Sequence, residues 1–363
     1  MTPKFKRNIT RVIPFGIIWT IFFSAQIIND LTLNRNQIIS GGGDVALTPG
    51  VAIFALIASF FSGLIIGVFE VMIFERRFRK FSFFTSIFIK LAIYLIVFVL
   101  LILALYPMAL AIESNEALYS EGTGDRVMQF LSSLSFLNTM VQLGFALFLS
   151  VIYSAVSENI GYNQLRDLIF GVYHKPVNEK RIFMFLDMKD STNIAEKLGN
   201  DRYFGLLSDY YDAMSDSIIR HKGEVYQYIG DEVVVTWKAE EGLENANCLH
   251  TFFSIGEALE KKRDRFTKAY DRLPAFKAGI HIGEATTGEM GALKREIVFS
   301  GDVLNTAARL QGMCKVYGKD CLISKDLKDA LPEIEGFEIL LEGTEALRGK
   351  ESVTEIYSVQ NNS

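Results

Sequence analysis

Four long apolar runs dominate the first 160 residues of the chain. They cover residues 12–28, 51–74, 84–112 and 137–156, and roughly 20 apolar residues in a helix suffice to cross the hydrocarbon core of a bilayer. The first run is short, but no small-residue cleavage site typical of a signal peptide follows it. We therefore expect an α-helical membrane domain of four spans in residues 1–156, embedded in the lipid bilayer.

The charges beside these runs predict an orientation. The loop after the third run is mainly acidic, whereas basic residues precede the first run and separate the second from the third: Lys4, Lys6, Arg7, Arg11, Arg76, Arg77, Arg79 and Lys80. Basic loops remain on the cytosolic side of a membrane. Four spans from a cytosolic N-terminus return the chain to the cytosol, so we expect a multi-pass protein of the cell membrane with a cytosolic C-terminal half.

Two ionisable residues interrupt the apolar runs. Glu70 lies in the second run and Lys90 in the third, each a turn or two from the same cytosolic boundary. They are expected either to pair and fix helix register, to belong to a sensing site, or to extend their charges to the interface.

Residues 157–180 join the two halves and are predicted to be a helical transducer or linker. Apolar side chains here have the 3-4-3 spacing of a short coiled-coil seam: Tyr162, Leu165, Ile169 and Val172. We expect the helix of the fourth span to continue through this stretch until Gly171 and Pro176 end it. An amphipathic linker packed on the next domain is the alternative.

Residues 181–363 alternate short apolar runs with amphipathic stretches. The run at 182–186 predicts a strand buried on both faces, and Gly-Asp at 230–231 predicts a hairpin turn. Further strands are expected at 276–282, 286–290 and 295–300, and helices at 194–198, 203–221, 245–262 and 303–314. Asp302 is expected to cap the last helix. This order predicts an α+β sheet with helices on one face.

Composition adds two points. Half of the residues are hydrophobic and the mean hydropathy is +0.22, an excess that lies before residue 157. The net charge is −5, so the chain lacks the overall basic charge of a nucleic-acid-binding protein.

Four polar residues carry the candidate chemistry. Asp187 ends the first predicted strand, Asp231 lies in an Ile-Gly-Asp hairpin, and Asn305 and Arg309 lie four residues apart in Gly-Asp-Val-Leu-Asn-Thr-Ala-Ala-Arg at 301–309. A carboxylate pair can hold divalent metal, and an Asn and an Arg on one helix face can bind phosphate. Together they indicate chemistry on a nucleoside triphosphate.

The order and spacing of these motifs resemble the class III nucleotidyl cyclase catalytic domain, from about residue 181 to 359. The family's landmarks are a first-strand Asp, an Ile-Gly-Asp hairpin and Gly-Asp-X-X-Asn-X-X-X-Arg, and all three occur here in order. The resemblance implies a ferredoxin-like α+β fold and a head-to-tail homodimer. It also implies attack of the ribose 3′-oxygen on the α-phosphorus, with release of pyrophosphate, supported by two Mg²⁺ or Mn²⁺ ions per active site.

The resemblance assigns roles to the four residues. Asp187 and Asp231 bridge the ions, with the Met188 carbonyl as a further ligand. Asn305 orients the ribose and Arg309 stabilises charge on the α-phosphate, both acting across the dimer interface.

Backbone N–H groups that open a helix are expected to cradle the triphosphate, and they belong to the segment from Met188 through Lys189, Asp190, Ser191 and Thr192. Lys350 aligns loosely with a family lysine that contacts the terminal phosphates, and the alternative for it is a solvated loop charge.

The base-selecting positions depart from the family pattern. Adenylyl cyclases usually carry Lys and Asp or Thr at the positions held here by Gln227 and Val298, and guanylyl cyclases carry Glu and Cys. A glutamine both donates and accepts, so Gln227 suits adenine or guanine, while Val298 offers only shape.

We expect a membrane-bound adenylyl cyclase that makes cyclic AMP from ATP, because adenylyl cyclases are common among bacterial architectures of this kind. A guanylyl cyclase using GTP, and a catalytically silent receptor or dimerisation module, are the alternatives.

Overall fold

The structure is a computed structural model that describes residues 3–33, 48–74, 77, 81, 83–114, 123–293, 295–333, 336–346 and 353–362. Contacts within the chain separate one compact unit, Phe5–Arg166, from another that contains Asp167–Ser363. The predicted domain limits at residues 156 and 180 stay a prediction.

Before residue 170, the secondary structure of the described residues consists of helices. The helices are α1 (Pro3–Leu33), α2 (Pro49–Val68), α3 (Phe83–Ser114), α4 (Thr123–Leu131), α5 (Leu134–Ile160) and α6 (Tyr162–Ile169), and a π-helical segment, Phe69–Phe74, extends α2. Among the described residues, four segments are long and apolar enough to cross a bilayer: Arg7–Ile28, Pro49–Phe74, Phe88–Glu113 and Phe136–Ile160. Four helices of spanning length are thus confirmed. Most of the basic loop used to orient them, including Arg76, Arg79 and Lys80, lies outside the described residues.

A buried polar cluster links three of these helices. The ammonium of Lys90 on α3 donates to Glu70 Oε2 at 2.6 Å, and the hydroxyl of Tyr94 donates to Glu70 Oε1 at 2.6 Å. Ser154 on α5 donates to Glu70 Oε2 at 3.3 Å. Glu70 is fully buried and Lys90 is 9 % exposed. The structure therefore shows a pair, and neither charge extends to the surface.

The helix of the fourth span does not continue unbroken, contrary to expectation. α5 ends at Ile160, and Gly161 has φ +94° before α6 begins. A right-handed helix requires negative φ, so this glycine interrupts it.

The second unit is built on a single sheet. Its strands are β1 (Val177–Met188), β2 (Glu224–Ile229), β3 (Glu232–Lys238), β4 (Phe276–Met290), β5 (Glu296–Ser300), β6 (Cys321–Ser324), β7 (Phe337–Ala346) and β8 (Val353–Asn361). Within the described residues the strand order is β2-β3-β1-β4-β6-β8-β7, with β5 paired to β4. β4 and β6 are parallel and the other neighbours are antiparallel.

Helices cover both faces of this sheet, which corrects the expectation of a single helical face. The helices of this unit are α7 (Ser191–Leu198), α8 (Asn200–Arg220), α9 (Ala239–Leu243), α10 (Asn247–Glu260), α11 (Arg263–Tyr270), α12 (Asp302–Tyr317) and α13 (Lys325–Ala330). Ile182, Met184 and Leu186 face a large core with α8 and α10. Phe183 and Phe185 face a smaller core with α12. β1 is apolar on both faces because both are covered.

Gly279 on β4 lets α12 lie very close to the sheet. A methyl group there would overlap the backbone of Ala307 and Gln311 and come within 2.8 Å of the Leu310 carbonyl carbon. The glycine therefore sets the distance between this helix and β4.

Several boundaries differ from the sequence expectations. The two strands expected at 276–282 and 286–290 form one long strand, β4. The helix expected at 245–262 begins only at Asn247, because Asn245 and Ala246 have positive φ. Asp302 is the first residue of α12 and not its cap, since Gly301 holds that position. The elements after residue 317, β6, α13, β7 and β8, had no counterpart among the sequence predictions.

Candidate active site

Two strand ends place the acidic pair. Asp187 is the penultimate residue of β1 and lies opposite Lys277 of β4. Asp231 occupies the turn between β2 and β3, where Gly230 has φ +64°, a conformation that favours glycine. The Tyr211 hydroxyl donates to the Gly230 carbonyl and so supports the turn from α8.

The two carboxyl groups influence each other. The pKa of Asp231 is raised, chiefly by burial; the Ser191 hydroxyl lowers it and the neighbouring Asp187 carboxyl raises it further. Asp231 Oδ2 is buried and accepts no hydrogen bond among the described residues. Asp231 is half-buried, one of its oxygens accepts no hydrogen bond, and a second carboxylate lies beside it. Without a nearby positive charge this arrangement is unfavourable.

Two side chains that contact Asp187 were not among the residues predicted from the sequence. Gln311 Nε2 on α12 donates to Asp187 Oδ2 at 2.8 Å, and Lys277 Nζ lies 3.4 Å from the same oxygen. The Lys277 side chain is only 20 % exposed, so its positive charge is held at the site. Finding it from sequence would have required the register between β1 and β4.

Glu232 and two tyrosines of α8 were also missed. The pKa of Glu232 is raised, first by burial and then by the charges of Asp187 and Asp231. The pKa of Tyr203 is raised by burial and then by Asp231. Tyr210 is fully buried, and its hydroxyl has no hydrogen-bond partner among the described residues. Partly buried acidic and phenolic groups therefore surround the pair.

Part of the segment predicted to bind phosphate is already engaged in contacts within the chain. The Lys189 N–H already donates to the Ala275 carbonyl at 2.8 Å, and the Lys189 ammonium pairs with Asp320. Asp190 has φ +57° and precedes α7 without a side-chain cap.

The remaining residues of that segment lie around the pair. Ser191 is half-buried and its hydroxyl contacts Asp231, whereas Thr192 is exposed. The Met188 side chain is buried in the large core on the other face of the sheet.

α12 presents its predicted catalytic residues away from its own sheet. Asn305 is exposed and Arg309 is half-buried, while Thr306, Ala307 and Leu310 are buried. One helix therefore touches Asp187 through Gln311 on its inner face and carries Asn305 on its outer face. Lys350, predicted at the terminal phosphates, lies outside the described residues.

The two residues predicted to select the base lie on two strands joined by an aromatic contact. Gln227 on β2 is exposed and Val298 on β5 is half-buried. The preceding Tyr226 and the following Phe299 pack edge to face, with ring centroids 4.9 Å apart. Residues far apart in sequence are thus held in one region.

The acidic pair fits a divalent cation. Carboxylate oxygens are the ligands that Mg²⁺ and Mn²⁺ prefer. Asp231 Oδ2, which accepts no hydrogen bond among the described residues, is available as such a ligand atom. No cluster of three or more His, Cys, Asp or Glu side chains able to hold a metal occurs among the described residues.

Two curated proteins show sequence similarity to the second half of the chain. The adenylate cyclase 2 of Rhizobium meliloti (strain 1021) is 37 % identical over 172 residues, which cover 47 % of this chain and 47 % of that protein. An adenylate cyclase of Anabaena cylindrica is 29 % identical over 184 residues, which cover 49 % of this chain and 36 % of the other. The chain thus spans about half, or less, of the length of the curated relatives it matches.

Solved structures share the fold. A bacterial light-regulated adenylyl cyclase superposes with a TM-score of 0.52 at 21 % identity, covering 61 % of this chain and 65 % of that one. A second structure of such a protein gives a TM-score of 0.54 at 19 % identity, covering 63 % of this chain and 67 % of the other.

The family model of the adenylate and guanylate cyclase catalytic domain matches residues 172–361. That range holds β1 with Asp187, the β2–β3 hairpin with Asp231, and α12 with Asn305 and Arg309. With just over half of its length matched, the chain belongs to the adenylate and guanylate cyclase family.

Proposed function

We propose that this protein is a membrane-bound adenylyl cyclase that converts ATP to 3′,5′-cyclic AMP and pyrophosphate. The observation that carries the proposal is the Asp187–Asp231 pair, with its unshared buried oxygen, in a chain of the cyclase family. The pair lies at the ends of strands whose register and tight turn hold it in place.

Asp187 and Asp231 would hold two divalent ions beside the nucleotide. Bound Mg²⁺ or Mn²⁺ supplies acidity to the ribose hydroxyl and neutralises charge on the triphosphate. Lys277, next to Asp187, is placed to attract the triphosphate, and the N-terminal turn of α7 with Ser191 and Thr192 offers further donors.

Asn305 and Arg309 complete the site from a second copy of the chain. Asn305 is exposed on the outer face of α12, whereas the inner face of the same helix is occupied by contacts to its own sheet. A helix that packs one face on its own sheet and leaves Asn305 exposed on the other can present that residue to a partner. In this arrangement Asn305 orients the ribose, and the Arg309 guanidinium stabilises charge that develops on the α-phosphate.

The four apolar helices support a membrane location. Basic residues at the start of α1, including Lys4 and Arg7, favour a cytosolic N-terminus and, after four spans, a cytosolic cyclase domain. Lipid and a second copy of the chain are the partners that this proposal requires.

ATP is the proposed substrate because the relatives reported above are named adenylate cyclases. GTP is the competing substrate, since the amide of Gln227 suits either base. Preservation of all four landmark residues argues against a silent dimerisation module.

Purified full-length protein supplied separately with ATP and with GTP, in Mn²⁺, tests the proposal. We expect cyclic AMP to form, and Asp187→Ala protein to form none. Many-fold faster formation of cyclic GMP would overturn the adenylyl assignment, and no cyclic nucleotide from either substrate would overturn the enzyme assignment.

A further inference from the structure

Arg181 is a buried cation in the middle of the cyclase sheet. It is 1 % exposed, and its guanidinium donates to Thr236 Oγ1 at 3.1 Å through Nε and to Glu179 Oε1 at 3.2 Å through Nη1. Glu224 Oε2 lies 3.5 Å from Nη2. Burying a charge costs free energy unless it is paired and hydrogen-bonded, and here three strands contribute partners.

The flat face of this cation supports an aromatic side chain. The Arg181 Cζ atom lies 4.6 Å from the centre of the Phe299 ring. Phe299 also packs edge to face against Phe183 and against Tyr226, at 5.5 and 4.9 Å between centroids. Phe299 is therefore held by a cation and a ring on β1 and by a second ring on β2.

The two predicted base-selecting residues each lie next to one member of the Tyr226–Phe299 contact in the sequence. Val298 precedes Phe299 on β5, and Gln227 follows Tyr226 on β2. The β2–β3 register is irregular between Val225 and Gln227, so Tyr226 is the extra residue of a β-bulge. Bulges of this kind redirect the side chain that follows them, and the Tyr226–Phe299 contact fixes the direction taken here.

We propose that Arg181 is a positioning residue for base recognition, which acts through Phe299 and Tyr226 on Val298 and Gln227. The inference rests on the proposed function, because it concerns the purine bound at that site. Arg181 does not touch nucleotide; it fixes where the two side chains that do so can lie.

The conservative variant Arg181→Lys separates charge from shape. Lysine keeps the positive charge among Glu179 and Glu224 but loses the planar face and the Nε–H bond to Thr236. Phe299→Leu removes the ring and leaves the charge. The matched control is Arg263→Lys, since Arg263 pairs with Glu260 at 2.6 Å on the exposed surface of α11.

The experiment compares kcat and KM for ATP and for GTP in full-length protein. We expect Arg181→Lys and Phe299→Leu each to change the ratio of kcat/KM for ATP to that for GTP by roughly threefold or more, mainly through KM, because a displaced hydrogen-bonding group discriminates less well. Arg263→Lys should leave the ratio unchanged. An unchanged ratio in both test variants, even with a lowered kcat, would overturn the inference and leave Arg181 a structural residue.

Two further experiments cover the cases in which Arg181→Lys does not fold or the wild-type protein is inactive. If Arg181→Lys does not fold, Tyr226→Leu removes the same aromatic contact without disturbing the buried cation, and an unchanged ratio in that variant overturns the proposal. If the wild-type protein forms no cyclic nucleotide, the proposed function has failed separately. Binding of fluorescent ATP and GTP analogues then tests base selection alone: a shift of their relative affinity in Phe299→Leu supports the inference, and no shift refutes it.

Discussion

The side-chain amide of Gln311 donates a 2.8 Å hydrogen bond to Asp187 Oδ2, joining residues 124 positions apart. Gln311→Met keeps the volume of the side chain and removes this bond. Because the bond orients a proposed metal ligand, we expect the Mn²⁺ concentration for half-maximal activity to rise about tenfold. The measurement is the rate of cyclic nucleotide formation against Mn²⁺ concentration. Gln360→Met, at an exposed position of β8, is the control, and an unaltered Mn²⁺ curve for Gln311→Met would refute the role.

A shared site makes a specific prediction about mixed dimers. Asp187→Ala and Asn305→Ala proteins should each be inactive, while an equal mixture should recover about a quarter of the wild-type rate, because half of the dimers carry one intact site. Co-expression followed by an activity assay measures this. Mixing Asp187→Ala with Asp231→Ala should give no recovery, since both changes damage the same half-site. Failure of the first mixture to recover would contradict the shared-site model.

Gly279 is expected to tolerate no side chain. Gly279→Ala would force α12 away from the sheet, since a methyl group would overlap the backbone of Ala307 and Gln311, at a cost of about 3 kcal/mol in the free energy of unfolding. Gly312→Ala, on the exposed side of the same helix with nothing within 4 Å, should instead stabilise by about 0.5–1 kcal/mol. Thermal unfolding of both variants provides the comparison, and equal melting temperatures would disprove the close approach.

The membrane unit should depend on its buried ion pair. Lys90→Met leaves the carboxylate of Glu70 without its cation, which costs about 3–5 kcal/mol for a buried pair. We expect a lower melting temperature in detergent, with substantial recovery when Glu70→Gln is added. Arg126→Met serves as the control because the Arg126–Glu113 pair is more exposed and such pairs contribute about 0–1 kcal/mol. A double variant no more stable than Lys90→Met would argue against the pairing.

His221 should make the cyclase unit less stable in acid. Burial lowers its pKa; a hydrogen bond that the imidazole donates to Asn247 opposes this, and the neighbouring His250 lowers the pKa further. The unfolded chain therefore binds a proton at higher pH than the folded chain, so the free energy of unfolding falls as pH drops below the ordinary histidine value of about 6.5.

Fluorescence of Trp237, whose indole donates to the His221 carbonyl at 3.0 Å, reports the unfolding. His221→Gln should reduce the change in unfolding midpoint between about pH 7.5 and about pH 5.5. His174→Gln, at an exposed site, should not. The same pH response in wild type and in His221→Gln would exclude this histidine as the cause.

Strong local patterns predicted much of the fold. The four spans, the buried first strand and the Gly-Asp hairpin each have a signature within a few residues, so their existence followed directly from the chain. The existence of β6 did not, because it has only four residues, and a run that short carries no distinctive period.

The residues of the candidate site divide in the same way, into those that belong to local motifs and those that only the fold brings together. Asp187 and Asp231 belong to local motifs, and so did Asn305 and Arg309. Lys277 and Gln311 reach Asp187 only through strand register and through the close packing that Gly279 allows, which are properties of the folded chain. Likewise, Glu70 and Lys90 could be located in the sequence. Whether they pair depends on how their two helices are rotated about their axes, which the sequence does not give.

The break at Gly161 has a mechanical consequence. An unbroken helix carries torque along its axis, because every peptide is hydrogen-bonded to the turn before it. At φ +94° that ladder is interrupted, so α5 cannot turn α6 as one rigid rod. At Gly161 the backbone leaves the helical conformation, so the helical phase of α5 is not passed on to α6.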